Sequence, residues 1–175
     1  MFCYTMGAFV KVYRPFSIMR FLYAGSKTDD YVFGFEQLPN KGDMLFITGG
    51  EKDVMSLVAH GFHAICFNSE TAQIPESIVE SLRLRFRHII LLYDTDETGK
   101  RESERQAEQL AGYHVLNLTL PLQGSKGEKD ISDYFQLGYG EKDLRALLSE
   151  MFSNLYVQTM MMLRSCEIDY DNPPD

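Results

Sequence analysis

His88-Ile89-Ile90-Leu91-Leu92-Tyr93-Asp94-Thr95-Asp96-Glu97-Thr98-Gly99 is the stretch from which the fold is read. His88–Tyr93 is a near-continuous apolar run of strand length, as expected for a parallel strand covered on both faces. It ends on two carboxylates at i and i+2, and Gly99 permits a tight turn into a helix starting near Thr98. Three further runs have the same form: Met44–Ile47, His63–Phe67 and His114–Leu118. Amphipathic stretches between them predict helices at about 51–60, 75–85 and 98–111. Val54, Leu57 and Val58 share one face of the first, Pro75 opens the second and Gly112 suits the cap of the third. Such alternation predicts an α/β domain, a four-stranded parallel sheet flanked by helices. Ligands in such sheets bind beyond the carboxyl ends of the strands.

Upstream, residues 7–24 alternate loosely, with Phe9, Tyr13, Phe21 and Tyr23 as strand aromatics and breaks at Arg14-Pro15 and Ala24-Gly25-Ser26. A small, basic antiparallel β subdomain is expected over 1–42, joined to the main domain, 43–155, through the turn-rich Gln37–Asp43. Downstream, 130–137 reads as a short helix. A longer one is expected from Glu141 to about Leu155, with Leu144, Leu147, Leu148 and Phe152 as its stripe. Residues 156–175 are expected to form a C-terminal tail, with Met160-Met161-Met162 packing and an acidic, poorly ordered end at Glu167, Asp169, Asp171 and Asp175.

The chain has 175 residues, 45% hydrophobic and 24% charged, which suits one globular domain with a small appendage. No apolar run approaches the ~20 residues needed to cross a bilayer. Met1-Phe2-Cys3-Tyr4 does not open a secretory signal. Cys3, Cys66 and Cys166 make neither a disulfide framework nor a zinc pattern, and His60, His63, His88 and His114 are not spaced as a metal set. A cytoplasmic protein without a membrane partner is expected. The net charge of −8 argues against whole-surface attraction to nucleic acid, yet residues 1–42 carry +2 and the remainder −10. Any phosphate-binding surface must be local.

Asp94 and Asp96 would repel and raise each other's pKa unless something positive stood between them. A hard, oxygen-preferring cation such as Mg²⁺ fits that place. Three other readings compete. A solvated turn capping the next helix is the plain one. A calcium loop of EF-hand type needs an acid at its twelfth position, which is Arg105, and fails. The haloacid-dehalogenase phosphatase pattern, Asp-x-Asp-x-Thr, is met by Asp94–Thr98, but only about 80 residues follow Asp94, too few for its downstream groups.

The wider context adds two blocks. Thr48-Gly49-Gly50-Glu51-Lys52-Asp53 joins the first apolar run to its helix, and Lys126–Phe135, with Lys129-Asp130, follows the fourth. Together the three blocks resemble the TOPRIM domain, a Rossmann-like fold shared by bacterial-type primases, type IA and II topoisomerases and related nucleases. Primase and phage primase–helicase domains are the nearest match, over roughly 11–140. Their blocks read Thr-Glu-Gly-Glu-x-Asp, Asp-x-Asp-x-x-Gly and a Lys-Asp pair before a short helix. The resemblance implies metal-dependent nucleotidyl transfer in a primase-like or mobile-element replication protein. It assigns Asp94, Asp96 and Asp130 to Mg²⁺ or Mn²⁺, and Glu51 and Asp53 to catalysis. Lys11, Arg14, Arg20, Lys27, Lys100 and Lys129 would contact nucleic-acid phosphates. Implied partners are single-stranded DNA, nucleotides, and zinc-binding and helicase modules on the same or another chain, since neither a zinc pattern nor a P-loop is present. The chain departs from the family at Gly49, where the family carries its principal glutamate. Glu70, in the loop Asn68-Ser69-Glu70, is expected as a substitute carboxylate beside Glu51. The alternative is a weakened TOPRIM module that binds nucleic acid or protein without turnover.

Overall fold

A computed structural model describes residues 1–25 and 31–165, so Lys27 and the acidic end from Cys166 lie outside the described residues. The chain divides into two units, 1–138 and 139–175.

The first unit opens with a three-stranded antiparallel sheet, β1 (Phe2–Met6), β2 (Phe9–Tyr13) and β3 (Phe21–Ala24). Alternation sends Tyr4, Phe9 and Lys11 to one face, where all three are buried. Tyr4 meets Phe33 edge-on at 5.6 Å between ring centroids, and Phe9 meets Tyr31 at 5.5 Å. The small sheet therefore rests on the segment that leads into the larger one.

That larger sheet contains β4 (Val32–Phe33), β5 (Gly42–Thr48), β6 (His63–Phe67), β7 (Phe86–Leu92) and β8 (Leu116–Asn117) in the order β4-β6-β5-β7-β8. Four strands are parallel, as the apolar runs imply, and β4 adds an antiparallel edge beside β6. The expected strand from His114 shortens to two residues. A 3-10 turn over Ala111–Tyr113 ends at His114 with φ 54°, so the extended run begins late.

The helices are α1 (Glu51–Ala59), α2 (Glu76–Arg83), α3 (Glu97–Gln109) and α4 (Ile131–Gln136). Leu45, Ile47, Ile65 and Leu91 form one buried cluster with Ile74, Val79, Leu82 and Leu110. Each fully buried Leu or Ile removes apolar surface worth roughly 2 kcal/mol from water. The opposite sheet face is covered too, with Phe46 meeting Phe62 edge-on at 5.6 Å. Loading on both faces explains the continuous apolar runs.

In the second unit the described residues form the helix α5 (Glu141–Ser165). The Asp143 carboxylate accepts from the Gly140 N–H at 2.7 Å, and Arg145 pairs with Glu141 at 2.8 Å. The first ten residues of the expected tail, 156–165, continue this helix, because no Gly or Pro interrupts them. No helix among the described residues is long and apolar enough to cross a membrane.

Candidate metal centre

Three loops meet at the carboxyl edge of the large sheet. After β5, Gly49-Gly50 turn the chain into α1, whose first turn carries Asp53. After β7 comes Asp94, and Gly99 holds this turn tight: a Cβ there would lie 2.1 Å from the Asp94 carbonyl oxygen. The third loop ends at Asp130, which caps α4 by accepting from the Asp133 N–H at 2.8 Å. The Lys129 carbonyl accepts from the Thr95 N–H at 2.8 Å and the Thr95 hydroxyl at 3.1 Å, stitching the second loop to the third.

One carboxylate oxygen from each of Asp53, Asp94 and Asp130 lies within 4.8 Å of the others. Oxygens around an octahedral Mg²⁺ with bonds of about 2.1 Å stand roughly 3–4 Å apart, so small side-chain rotations would close the set on such an ion. The donors are all hard oxygens, which suits Mg²⁺ or Mn²⁺ over a softer metal.

Two ammonium groups offset the three acids. Lys52 Nζ lies 2.6 Å from Asp130 Oδ2 and 4.0 Å from Asp133. Lys129 Nζ pairs with Asp94 and lies 2.8 Å from Asp96 Oδ2. Burial works against both ammonium charges, but the neighbouring carboxylates overcome it and hold both pKa values above the ordinary lysine range. The compensation at the acids is incomplete. Burial first, then the Asp130 charge, push Asp53 up to about 8 against the pull of Lys52 and Ser132. Burial and the neighbouring Asp94 push Glu70 up to about 7. Asp94 is raised by burial, with Lys129 opposing. A buried pocket that strains to keep its carboxylates ionised is one a divalent cation relieves.

The structure regroups the residues singled out from the sequence. Asp94 and Asp130 converge as expected, joined by Asp53, which the family pattern had placed in catalysis. Asp96 stands aside. Its Oδ1 caps α3 by accepting from the Gly99 N–H at 2.9 Å, and the Lys129 ammonium with that cap lowers its pKa. The capping turn, and not strand alternation, sets the direction of Asp96. Glu51 faces away from Asp53, because two residues along a helix differ by about 200° in direction. It is buried with Lys11 Nζ at 2.7 Å and the Tyr31 hydroxyl at 2.6 Å. Lys11, 4% exposed, is thus a structural cation and cannot reach a phosphate backbone. Its ammonium also donates to the Asn68 carbonyl at 3.0 Å. Arg14 donates to the Met19 carbonyl at 2.8 Å across its own loop, whereas Arg20 and Lys100 are exposed. Glu70 Oε1 accepts from the Asp94 N–H at 3.2 Å, within the expected rim.

Two contributors escaped the sequence reading. Lys52 bridges the first and third blocks through Asp130. The Ser132 hydroxyl donates to Asp53 Oδ1 at 2.7 Å and fixes that carboxylate. Their nearness to Asp53 and Asp130 in the chain was the available signal.

Fold and acidic edge together define a class, and the chain belongs to the Toprim-like family, whose model matches residues 46–135. Solved primase structures share the fold. The primase fragment of the bacteriophage T7 primase–helicase protein is 22% identical with a TM-score of 0.57, over 80% of this chain and 56% of that one. The DnaG catalytic core is 17% identical with a TM-score of 0.62, over 86% and 57%. A DNA primase domain from Pseudomonas aeruginosa is 18% identical with a TM-score of 0.60, over 89% and 56%. The chain thus spans little more than half the length of these three. No curated protein matches it.

Proposed function

We propose that this chain is the metal-dependent nucleotidyl-transfer domain of a primase-like replication protein. The convergence of Asp53, Asp94 and Asp130 on one point carries this reading. A Mg²⁺ or Mn²⁺ ion held there would neutralise triphosphate charge and help align an attacking 3′-hydroxyl. The chain's own groups supply the rest. Lys129 and Lys52 are partly exposed, with side-chain exposures of 34% and 46%, and their ammonium groups stand where phosphate oxygens would arrive. Ser132 keeps Asp53 in a single rotamer. Among the described residues, Arg20 and Lys100 are assigned cations exposed on the surface that would track a strand of nucleic acid, without sequence preference. Template selection and strand opening would fall to zinc-binding and helicase modules on the same or another chain.

The test is primer synthesis on single-stranded DNA with radiolabelled nucleoside triphosphates and Mn²⁺. The wild-type chain, supplied with its template, is expected to yield short labelled products, and Asp94→Asn to lose them by two orders of magnitude or more, as for removal of a transition-state electrostatic group. Equal product from both proteins would remove the metal centre from the reaction. Binding of DNA and metal without product would favour the second reading, a binding module, for which the missing side chain at Gly49 is the specific observation.

A further inference from the structure

Gly49 lies in the first acidic block, at the mouth of the carboxylate group. Its backbone does not call for glycine, since it is absent from the residues of positive φ. Space does. A Cβ at 49 would lie 2.4 Å from Glu70 Oε1, 2.5 Å from its Cγ and 2.8 Å from its Cδ. The Glu70 side chain, arriving from the loop after β6, fills the volume that a side chain at 49 would occupy. From there its carboxylate reaches the Asp94 N–H at 3.2 Å.

We infer that Gly49 and Glu70 are an exchanged pair: Glu70 crosses from the neighbouring loop to supply a carboxylate to the metal centre, and Gly49 is side-chain-free to admit it. This rests on the metal reading above and specifies a fourth acidic group for it. The geometry explains both residues at once. A carboxylate from position 49 would begin at the strand end beside Thr48. Glu70 brings a carboxylate to that strand end from one strand over, into the space where a side chain at 49 would start, and its contact with the Asp94 backbone fixes the carboxylate against the second block. Chemically this is a hard oxygen donor, bound either to the ion or to one of its waters.

The test uses the full chain and Mn²⁺ alone, titrated with the free ion followed by electron paramagnetic resonance. Glu70→Gln, nearly isosteric, is expected to weaken Mn²⁺ binding about tenfold or more, as loss of an outer-sphere carboxylate does. Gly49→Glu is expected to weaken it similarly, because two side chains then compete for one volume. The double variant Gly49→Glu/Glu70→Gly is expected to recover most of what either single change lost. Gly49→Ala, whose methyl alone displaces Glu70, guards against a misfolded Gly49→Glu, and thermal unfolding confirms that each variant folds. Asp94→Asn is the reference. If it binds Mn²⁺ as well as wild type, the metal reading itself fails. If Asp94→Asn abolishes binding while Glu70→Gln matches wild type, or the double variant binds no better than the single ones, the metal centre stands and the exchange is overturned.

Discussion

Replacing Lys11 by Met is expected to destabilise the first unit by about 3–5 kcal/mol, the usual cost of stranding a buried charge. The Lys11 and Glu51 side chains are only 4% and 5% exposed. Without the ammonium, Glu51 would keep, among the described residues, the Tyr31 hydroxyl as donor, and the Asn68 carbonyl would lose the Lys11 ammonium. Thermal unfolding of the full chain should show the midpoint falling on the order of 10 °C. The double change Lys11→Met/Glu51→Leu should regain most of this, because removing both charges also removes the desolvation cost. Lys100→Met, on the exposed face of α3, should stay within about 0.5 kcal/mol of wild type. A Lys11→Met midpoint close to that control would mean that the pair does not hold the small sheet in place.

The second large effect is an inverted pH dependence of stability. Most proteins lose stability as buried carboxylates are forced to protonate in acid; here the shifts of Asp53 and Glu70 run the other way. Asp53 is pushed up to about 8 and Glu70 to about 7, against roughly 4 in an unfolded chain. Between those values the folded chain holds more protons than the unfolded one, so stability falls as pH rises. In metal-free buffer the midpoint should be highest near pH 5 and decline toward pH 8, by a loss on the order of a few kcal/mol, then level off. Asp53→Asn should flatten much of the decline, since its amide oxygen can still accept from Ser132 while the titrating charge is gone. Added Mn²⁺ should restore more stability at pH 8 than at pH 6, because the ion competes with protons for the same oxygens. A metal-free profile that rises steadily with pH, unchanged in Asp53→Asn, would contradict the shifts.

The parts of this fold visible in the sequence are those decided by local pattern. β5, β6 and β7 announce themselves because both of their faces are covered, leaving no polar alternation to blur them. The blocks at 48–53, 94–99 and 129–130 lie where apolar runs stop, so the edge at which they meet follows from strand direction. What escaped depends on direction within a turn or on partners far along the chain. Asp96 looked like a second ligand because it follows Asp94 by two positions at the strand end, where a helix cap sets its direction. Glu51 and Asp53 looked like a pair, although helical geometry separates them by more than half a turn of direction. Lys11 looked like a phosphate contact because its neighbours are basic; only the fold reveals Glu51, forty positions on. The vacancy at Gly49 could be read directly, but a loop conformation decides what fills it.

Glu51 and Asp53 share one turn of α1 yet answer to different neighbours, one to the small sheet and one to the acidic edge. Cutting the chain at the linker near residue 42 would therefore not free an independent half. The fragment would keep Glu51 in its hollow but leave behind both the ammonium and the phenol that satisfy it. The smallest piece able to fold without repair must begin upstream of β2, and any shortened version for crystallisation or assay should include it.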